Sequence, residues 1–236
     1  MRRRNAAHAP PHLGPPPQGG RKVQRRLGAA VFALLLVSGC GAIQQAVTPA
    51  EPIKHYTLAD ARNPTPPAPA GSRVAAAAPT LIVTPPHAAA GFDSQHMMYI
   101  RNADQLEFFA HNEWIDTPAR MLAPLIVTAV EQTGAFRAVV QTPSPAGGEI
   151  QLDTEILRLQ HEFLSVPSQV RFTLRAYMVE SATRRVIASR EFDVAVPAAS
   201  EDAYGGVVAA KQAVRTALEN LAAFFAEAAR GTALAK

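Results

Sequence analysis

Strict alternation of apolar and polar residues is the clearest pattern in the second half of the chain. Between residues 150 and 196, three segments place apolar side chains at every second position, which is typical of an antiparallel sheet with one wet face. In the first segment the phase switches near Ile156, which predicts a β-bulge there. The alternating positions are Ile150, Leu152, Thr154 and Ile156, then Val170, Phe172, Leu174, Ala176 and Met178, then Phe192, Val194 and Val196.

Two other segments repeat their apolar residues at helical spacing. The first begins at Thr117-Pro118, where threonine can cap and proline suits the first helical position, and Gly134 supplies a stop. The second closes the chain. Each is apolar along one stripe, so both are expected to pack on a sheet. The stripes are Met121, Leu122, Leu125, Ile126, Ala129 and Val130, and Val207, Val214, Leu218, Leu221 and Phe225.

Shorter β-prone runs precede these elements. Leu81–Val83 lies between prolines, and Met97–Arg101 and Gln105–Phe109 flank a three-residue loop that suits a hairpin. Tyr56–Leu58 is a leading strand, separated from the rest by a Pro/Ala-rich insertion at 62–79. This order of elements predicts an α+β fold, a mostly antiparallel sheet with two helices packed on it.

The N-terminal part predicts export and lipidation. Basic residues between Arg21 and Arg26 precede the apolar run Leu27–Val37, and Ser38-Gly39 then leads into Cys40, the chain's single cysteine. The segment Val37–Cys40 resembles a bacterial lipobox. The apolar run Leu27–Val37 is short for a membrane-spanning helix, which needs about 20 apolar residues. We therefore predict a lipoprotein signal peptide (1–39), lipid on Cys40, a flexible tether (40–54), a folded domain (55–230) and a tail (231–236).

The distribution of charge argues against nucleic-acid binding. The sequence has an isoelectric point near 9.6, but seven of its 23 Lys and Arg residues precede Cys40, whereas all 19 Asp and Glu residues follow it. Cleavage would leave 16 basic against 19 acidic residues, a net charge of −3. No basic face remains to bind phosphates.

The sequence contains none of the common catalytic motifs. It lacks a phosphate-binding Gly-x-x-x-x-Gly-Lys loop, a His-Glu-x-x-His zinc motif and a Gly-x-Ser-x-Gly nucleophile elbow. The histidines of the predicted domain do not have metal-ligand spacing. We predict a protein that is not an enzyme and has no metal or cofactor apart from the covalent lipid on Cys40.

Candidate contact residues are apolar side chains outside the regular patterns. Phe163, Leu164 and Val166 lie in the loop between two strands, where they either form an exposed interaction patch or pack under the last helix. Trp114 precedes the first helix and either shapes a partner-facing edge or caps the core. Phe108 and Phe109 are adjacent and so point to opposite faces of a strand.

Several of these features, in their order, resemble the ABC-type transport auxiliary lipoprotein family, which includes the lipoprotein of the paraquat-inducible (Pqi) system. They are Tyr56-Thr57-Leu58 after the lipobox, Leu81-x-Val83 before Pro85, Trp114-Ile-Asp-Thr-Pro118, Thr133-Gly134-x-Phe136 and an alanine-rich closing helix. The resemblance implies a periplasm-facing outer-membrane lipoprotein. It also implies partners, namely a mammalian-cell-entry (MCE) domain protein and associated ABC or Pqi-type transporter components that move lipids.

Two alternative functions stay open from the sequence. One is a periplasmic lipid-binding shuttle with its own apolar cavity, and the other is a structural envelope lipoprotein. The number of copies in the assembly is also open, and a homo-oligomer is one of the expectations.

Overall fold

A computed structural model describes residues 51–59 and 78–234 of the chain. The predicted signal peptide, Cys40, most of the tether and most of the Pro/Ala-rich insertion lie outside the described residues. Within the described ranges, no helix is both long and apolar enough to cross a membrane.

The described residues contain nine strands and two helices. In chain order they are β1 (Lys54–Tyr56), β2 (Thr80–Val83), β3 (His87–Ala88), β4 (His96–Asn102), β5 (Gln105–Trp114), α1 (Pro118–Glu131), β6 (Ala138–Gln141), β7 (Ile150–Glu162), β8 (Gln169–Glu180), β9 (Val186–Pro197) and α2 (Ala203–Leu234).

Strand β7 is the centre of the sheet. Along one edge it pairs antiparallel with β8, which pairs antiparallel with β9. The other edge of β7 is shared by three short parallel strands, β2, β3 and β4. Beyond them, β6 extends the sheet beside β2, while β5 and then β1 extend it beside β4. The prediction of a mostly antiparallel sheet is confirmed, because the long pairings are antiparallel and the parallel ones are short.

The predicted bulge in β7 is also present. The register with β8 shifts between Ile156 and Arg158. Beyond the shift, Leu159 pairs with Phe172 and His161 pairs with Val170, both of which belong to the apolar face of β8. The extra residue thus explains why the apolar alternation changes phase along a single strand.

Both helices pack on the sheet, as predicted. We call the face that they cover the helix face and the opposite one the open face. α2 lies over β8 and β9 and contacts α1, which lies over β2, β3 and β6. All five residues of the predicted α2 stripe are buried, and the largest fully buried side chains between the layers include Phe172, Phe225, Leu122, Ile126, Leu152 and Leu174.

The boundaries of the helices show how local chemistry acts. α1 begins after Thr117, as predicted, but the Thr117 side chain makes no capping hydrogen bond, and the Thr117 N–H instead donates to Asp116 Oδ1. Gly134 follows the helix with φ near +60°, a conformation that favours glycine. α2 continues to Leu234. β1 pairs parallel with β5 through residues 112–114.

Candidate docking surface

The loop between β7 and β8 exposes apolar side chains. We call residues 163–168 the docking loop. Val166 is 92% exposed and Leu164 is 54% exposed. Both are aliphatic, and burying an aliphatic side chain lowers the free energy of a protein in water. Of the alternatives raised by the sequence, exposure therefore holds for Leu164 and Val166.

On the helix face, the two ends of the docking loop are joined through a buried histidine. His161 Nε2 lies 2.8 Å from Ser168 Oγ. The backbone of Ser168 is in turn fixed to the start of α2, because its N–H donates to Glu201 Oε1 (2.9 Å) and its carbonyl accepts the Ala198 N–H (2.8 Å). These contacts hold the end of β7, the start of β8 and the approach to α2 together.

On the open face, a buried carboxylate joins the same two strands. Glu162 accepts hydrogen bonds from Gln160 Nε2 and Gln169 Nε2, each at 2.9 Å, and from Arg171 Nε at 3.1 Å. A charge removed from water is retained at low cost only when it is paired and hydrogen-bonded, and Glu162 meets that condition. The docking loop is thus fixed at its base on both faces of the sheet, and its apolar tip projects from a rigid support.

Phe163 differs from its neighbours in the loop. Its ring lies 4.0 Å from the His161 ring, 5.9 Å from Tyr99 and 6.4 Å from Phe109, measured between centroids. Its backbone N–H donates to the Ile100 carbonyl at 2.8 Å. Such aromatic contacts stabilise a fold beyond simple burial. Phe163 is therefore half-buried in an aromatic cluster, while Leu164 and Val166 face solvent.

The electrostatics at the base of the loop follow from these contacts. Burial lowers the pKa of His161, against the opposing effect of the Glu201 and Asp202 carboxylates. The Ser168 N–H holds the pKa of Glu201 below its usual range. Asp202 caps α2 by accepting the Gly205 N–H at 2.7 Å, and this hydrogen bond lowers the Asp202 pKa. The site thus contains two ionised carboxylates beside a histidine that favours its neutral form.

Further exposed apolar residues lie at the same end of the sheet. Leu106 pairs with Ile100, which pairs with Glu162, so Leu106 lies two strands from the base of the docking loop. Tyr204 is exposed in the first turn of α2. Leu106 belongs to the predicted hairpin and Tyr204 to the closing helix, so neither stood out in the sequence. Only the pairing of β4 with β7 and the contact between Glu201 and Ser168 place them near the loop.

Trp114 does not belong to this exposed surface. It is only 3% exposed and ends β5 in the core. Together with His161, Phe109 and Gly206 it lines a small cavity of about 20 Å³, room for about one water molecule. The burial of Trp114 favours a structural role over direct contact with a partner. Phe108 and Phe109 do point to opposite faces, since Phe108 is exposed and Phe109 packs against the core.

Within residues 51–59 and 78–234, no group of three or more His, Cys, Asp or Glu side chains is arranged to hold a metal ion. What this end of the molecule offers chemically is a contact surface, namely apolar side chains on a fixed backbone bordered by carboxylates.

Comparison with known proteins agrees with this architecture. Residues 56–223 match the family described as the ABC-type transport auxiliary lipoprotein component. The structure resembles a crystal structure of a Xanthomonas campestris protein, with 23% identity, a TM-score of 0.62, and coverage of 78% of this chain and 97% of that one. It also resembles the crystal structure of an uncharacterized protein, with 13% identity, a TM-score of 0.56, and coverage of 74% and 99%. At these identities the likeness concerns the fold. No curated protein matches the chain.

Proposed function

Because the chain belongs to the ABC-type transport auxiliary lipoprotein family, and so is an envelope lipoprotein associated with an ABC-type transporter, we propose that it is anchored in the outer membrane through Cys40. In this proposal the folded domain faces the periplasm and docks on an MCE-domain component of a lipid-transport system. Its role is to hold that component in place rather than to catalyse a reaction.

The length of the tether is compatible with this arrangement. Thirteen residues separate Cys40 from Lys54, the first residue of β1. Fully extended, such a segment spans at most about 45 Å. A lipid on Cys40 would therefore keep the domain close to the membrane while leaving it free to reach a partner.

The observation that carries the proposal is the docking loop. Leu164 and Val166 are exposed on a loop whose base is held by His161 and Ser168 on one face and by Glu162 on the other. A loop whose backbone is held at its base before binding loses less conformational freedom on contact with a partner. Exposed apolar residues on such a support are the kind of feature that forms the centre of a protein interface.

The test replaces both exposed residues, Leu164→Ser with Val166→Ser, and measures affinity for the MCE-domain protein encoded by the same organism. The structure provides a matched control, because Val186 at the start of β9 is 52% exposed and lies away from the docking loop. We expect the double variant to bind about ten-fold or more weakly, with unfolding unchanged, and Val186→Ser to bind normally. If the unchanged protein, the double variant and Val186→Ser bind the MCE-domain protein with equal affinity, the docking loop is not part of the interface.

The lipid-shuttle alternative finds little support in the interior. Among the described residues, the cavity beside Trp114 and His161 measures about 20 Å³, which is far too small for an acyl chain, and the larger spaces of about 490 and 360 Å³ beside β9 are open grooves. Purified protein that carries a bound acyl chain besides the covalent lipid would restore this alternative.

A further inference from the structure

Strand β9 presents a long open edge. It pairs with β8 on one side, and none of the other described strands pairs with its second side. From Ala188 to Pro197 its register with β8 is regular, and the one shift lies near Val186. Proteins usually shorten, bulge or cover such edges because they can pair with another chain. Between Ala188 and Pro197, the β9 edge is neither shortened nor bulged.

Alternate residues of β9 direct their backbone N–H and C=O groups outward, away from β8. The Ala198 N–H donates to the Ser168 carbonyl, and the same register continues along the β8–β9 pair. Since hydrogen-bonded and non-hydrogen-bonded pairs alternate in an antiparallel ladder, every second residue of β9 directs its N–H and C=O groups away from β8. These residues are Ser189, Glu191, Asp193 and Ala195.

On the open face, charges alternate across the strands up to this edge. Arg171 of β8 contacts Glu162 of β7 at 3.1 Å and Asp193 of β9 at 2.7 Å. One row further along, Arg175 contacts Glu155 at 3.7 Å and Glu191 at 3.0 Å. Each row thus runs acidic, basic, acidic and ends on β9 with a carboxylate. Basic side chains on an added strand would continue both rows.

On the helix face, the same edge is bordered by an open groove. One stretch, of about 490 Å³, lies between β9 at Phe192 and Val194 and α2 at Phe224. A second stretch, of about 360 Å³, lies between Val196 and Val208. The second stretch is mainly apolar, whereas the first is also lined by Arg190, Asn220 and Glu227. An added strand would point every second side chain into this groove.

We infer that the β9 edge binds, by strand addition, an extended segment of a partner protein in which Lys or Arg alternates with apolar residues. The basic side chains face Glu191 and Asp193 on the open face, and the apolar ones enter the groove against α2. The partner's backbone pairs with the outward N–H and C=O groups of β9, the contact from which strand addition gains affinity. This surface is separate from the docking loop, and the inference does not depend on the proposed function.

The charges disfavour a second copy of this chain as the occupant in registers centred on residues 190–193. In an antiparallel β9–β9 pair centred on Phe192, Glu191 would lie opposite Asp193. Centring the pair on Arg190, Glu191 or Asp193 would place that residue opposite its own copy. Like charges directly opposite each other destabilise a strand pair, so the acidic edge is suited to a basic partner.

The test uses the purified full chain in detergent and a fluorescent nine-residue peptide that alternates lysine and valine. Two peptide controls leave the protein unchanged. One has glutamate in place of lysine, and the other is N-methylated at alternate backbone positions, which removes the N–H donors that strand addition needs. We expect fluorescence polarisation to show saturable binding of the lysine peptide, with affinity at least about ten-fold lower for either control.

Protein variants locate the binding. Glu191→Gln and Asp193→Asn should each weaken binding about two- to five-fold, as expected for exposed ion pairs, while Asp104→Asn in the β4–β5 turn should have no effect. Equal binding of the lysine and glutamate peptides, or binding unaffected by N-methylation, would overturn the inference. A concentration-dependent dimer that the peptide dissociates would also overturn it, because the occupant would then be a second copy.

Discussion

Replacing Gly206 by alanine tests the contact that supports the docking loop. Gly206 lies in the second turn of α2, and a Cβ atom added there would lie 2.6 Å from His161 Nδ1 and 3.2 Å from Cε1. Two contacts restrain the imidazole, since the Phe163 ring lies 4.0 Å away between centroids and Ser168 Oγ lies 2.8 Å from Nε2. The added methyl group must therefore displace either the histidine or the helix.

Two opposing effects determine how much Gly206→Ala changes the free energy of unfolding. Glycine to alanine in a helix interior normally gains about 1 kcal/mol, whereas overpacking a core costs about 1–3 kcal/mol. We expect Gly206→Ala to lower the free energy of unfolding by about 1 kcal/mol. Gly231 in the same helix is the matched control, because a Cβ there meets nothing within 4 Å, so Gly231→Ala should be neutral or stabilising.

Chemical denaturation of the two variants, each with and without His161→Ala, measures the coupling. If the histidine is the obstacle, Gly206→Ala should become neutral or stabilising once His161 is truncated, and Gly231→Ala should be indifferent to it. A Gly206→Ala variant that is as stable as Gly231→Ala with His161 intact would refute the packing described here.

Two further predictions concern the anchor and pH. Cys40→Ser should abolish metabolic labelling with fatty acid, because the chain has no other cysteine, and label retained by the variant would contradict the lipid assignment. Burial holds the pKa of His161 below its ordinary value of 6.5, so the unfolded chain binds the proton more readily than the folded one. The part of the folding stability that depends on neutral His161 should therefore be fully present above about pH 6.5 and decline as the pH falls towards the lowered pKa. His161→Gln should lose this part of the pH dependence in denaturant titrations, and an identical profile would contradict it.

The long elements were predictable because their patterns are long. Alternation over a dozen residues determines a strand, and the change of phase near Ile156 indicated the bulge in β7. By contrast, β3 consists of His87 and Ala88 only, too short to carry a period. That three short strands share one edge of β7 depends on long-range contacts, which the sequence pattern of each strand does not contain.

The docking loop shows the same limit at the level of side chains. The apolar run from Phe163 to Val166 marked the loop, but the separate role of Phe163 depends on Tyr99 and Phe109, more than 50 residues earlier in the chain. The network of Ser168 and Glu201 carries no apolar or catalytic pattern at all. Such polar contacts become apparent only when the fold brings their partners together.

One helix supports both surfaces inferred here. Near its start, α2 is fixed to the docking loop through Glu201, and further along it forms a wall of the β9 groove through Phe224. Between Glu201 and Phe224, α2 meets the sheet mostly through small side chains. The buried ones include Ala209, Ala210, Ala213, Ala217 and Ala222. Small side chains let a helix lie close to its neighbours, and packed interfaces respond to added volume by shifting as units. The alanine-rich composition of α2 therefore sets the positions of two contact surfaces at once, and a partner that moves α2 by binding at one surface would alter the other.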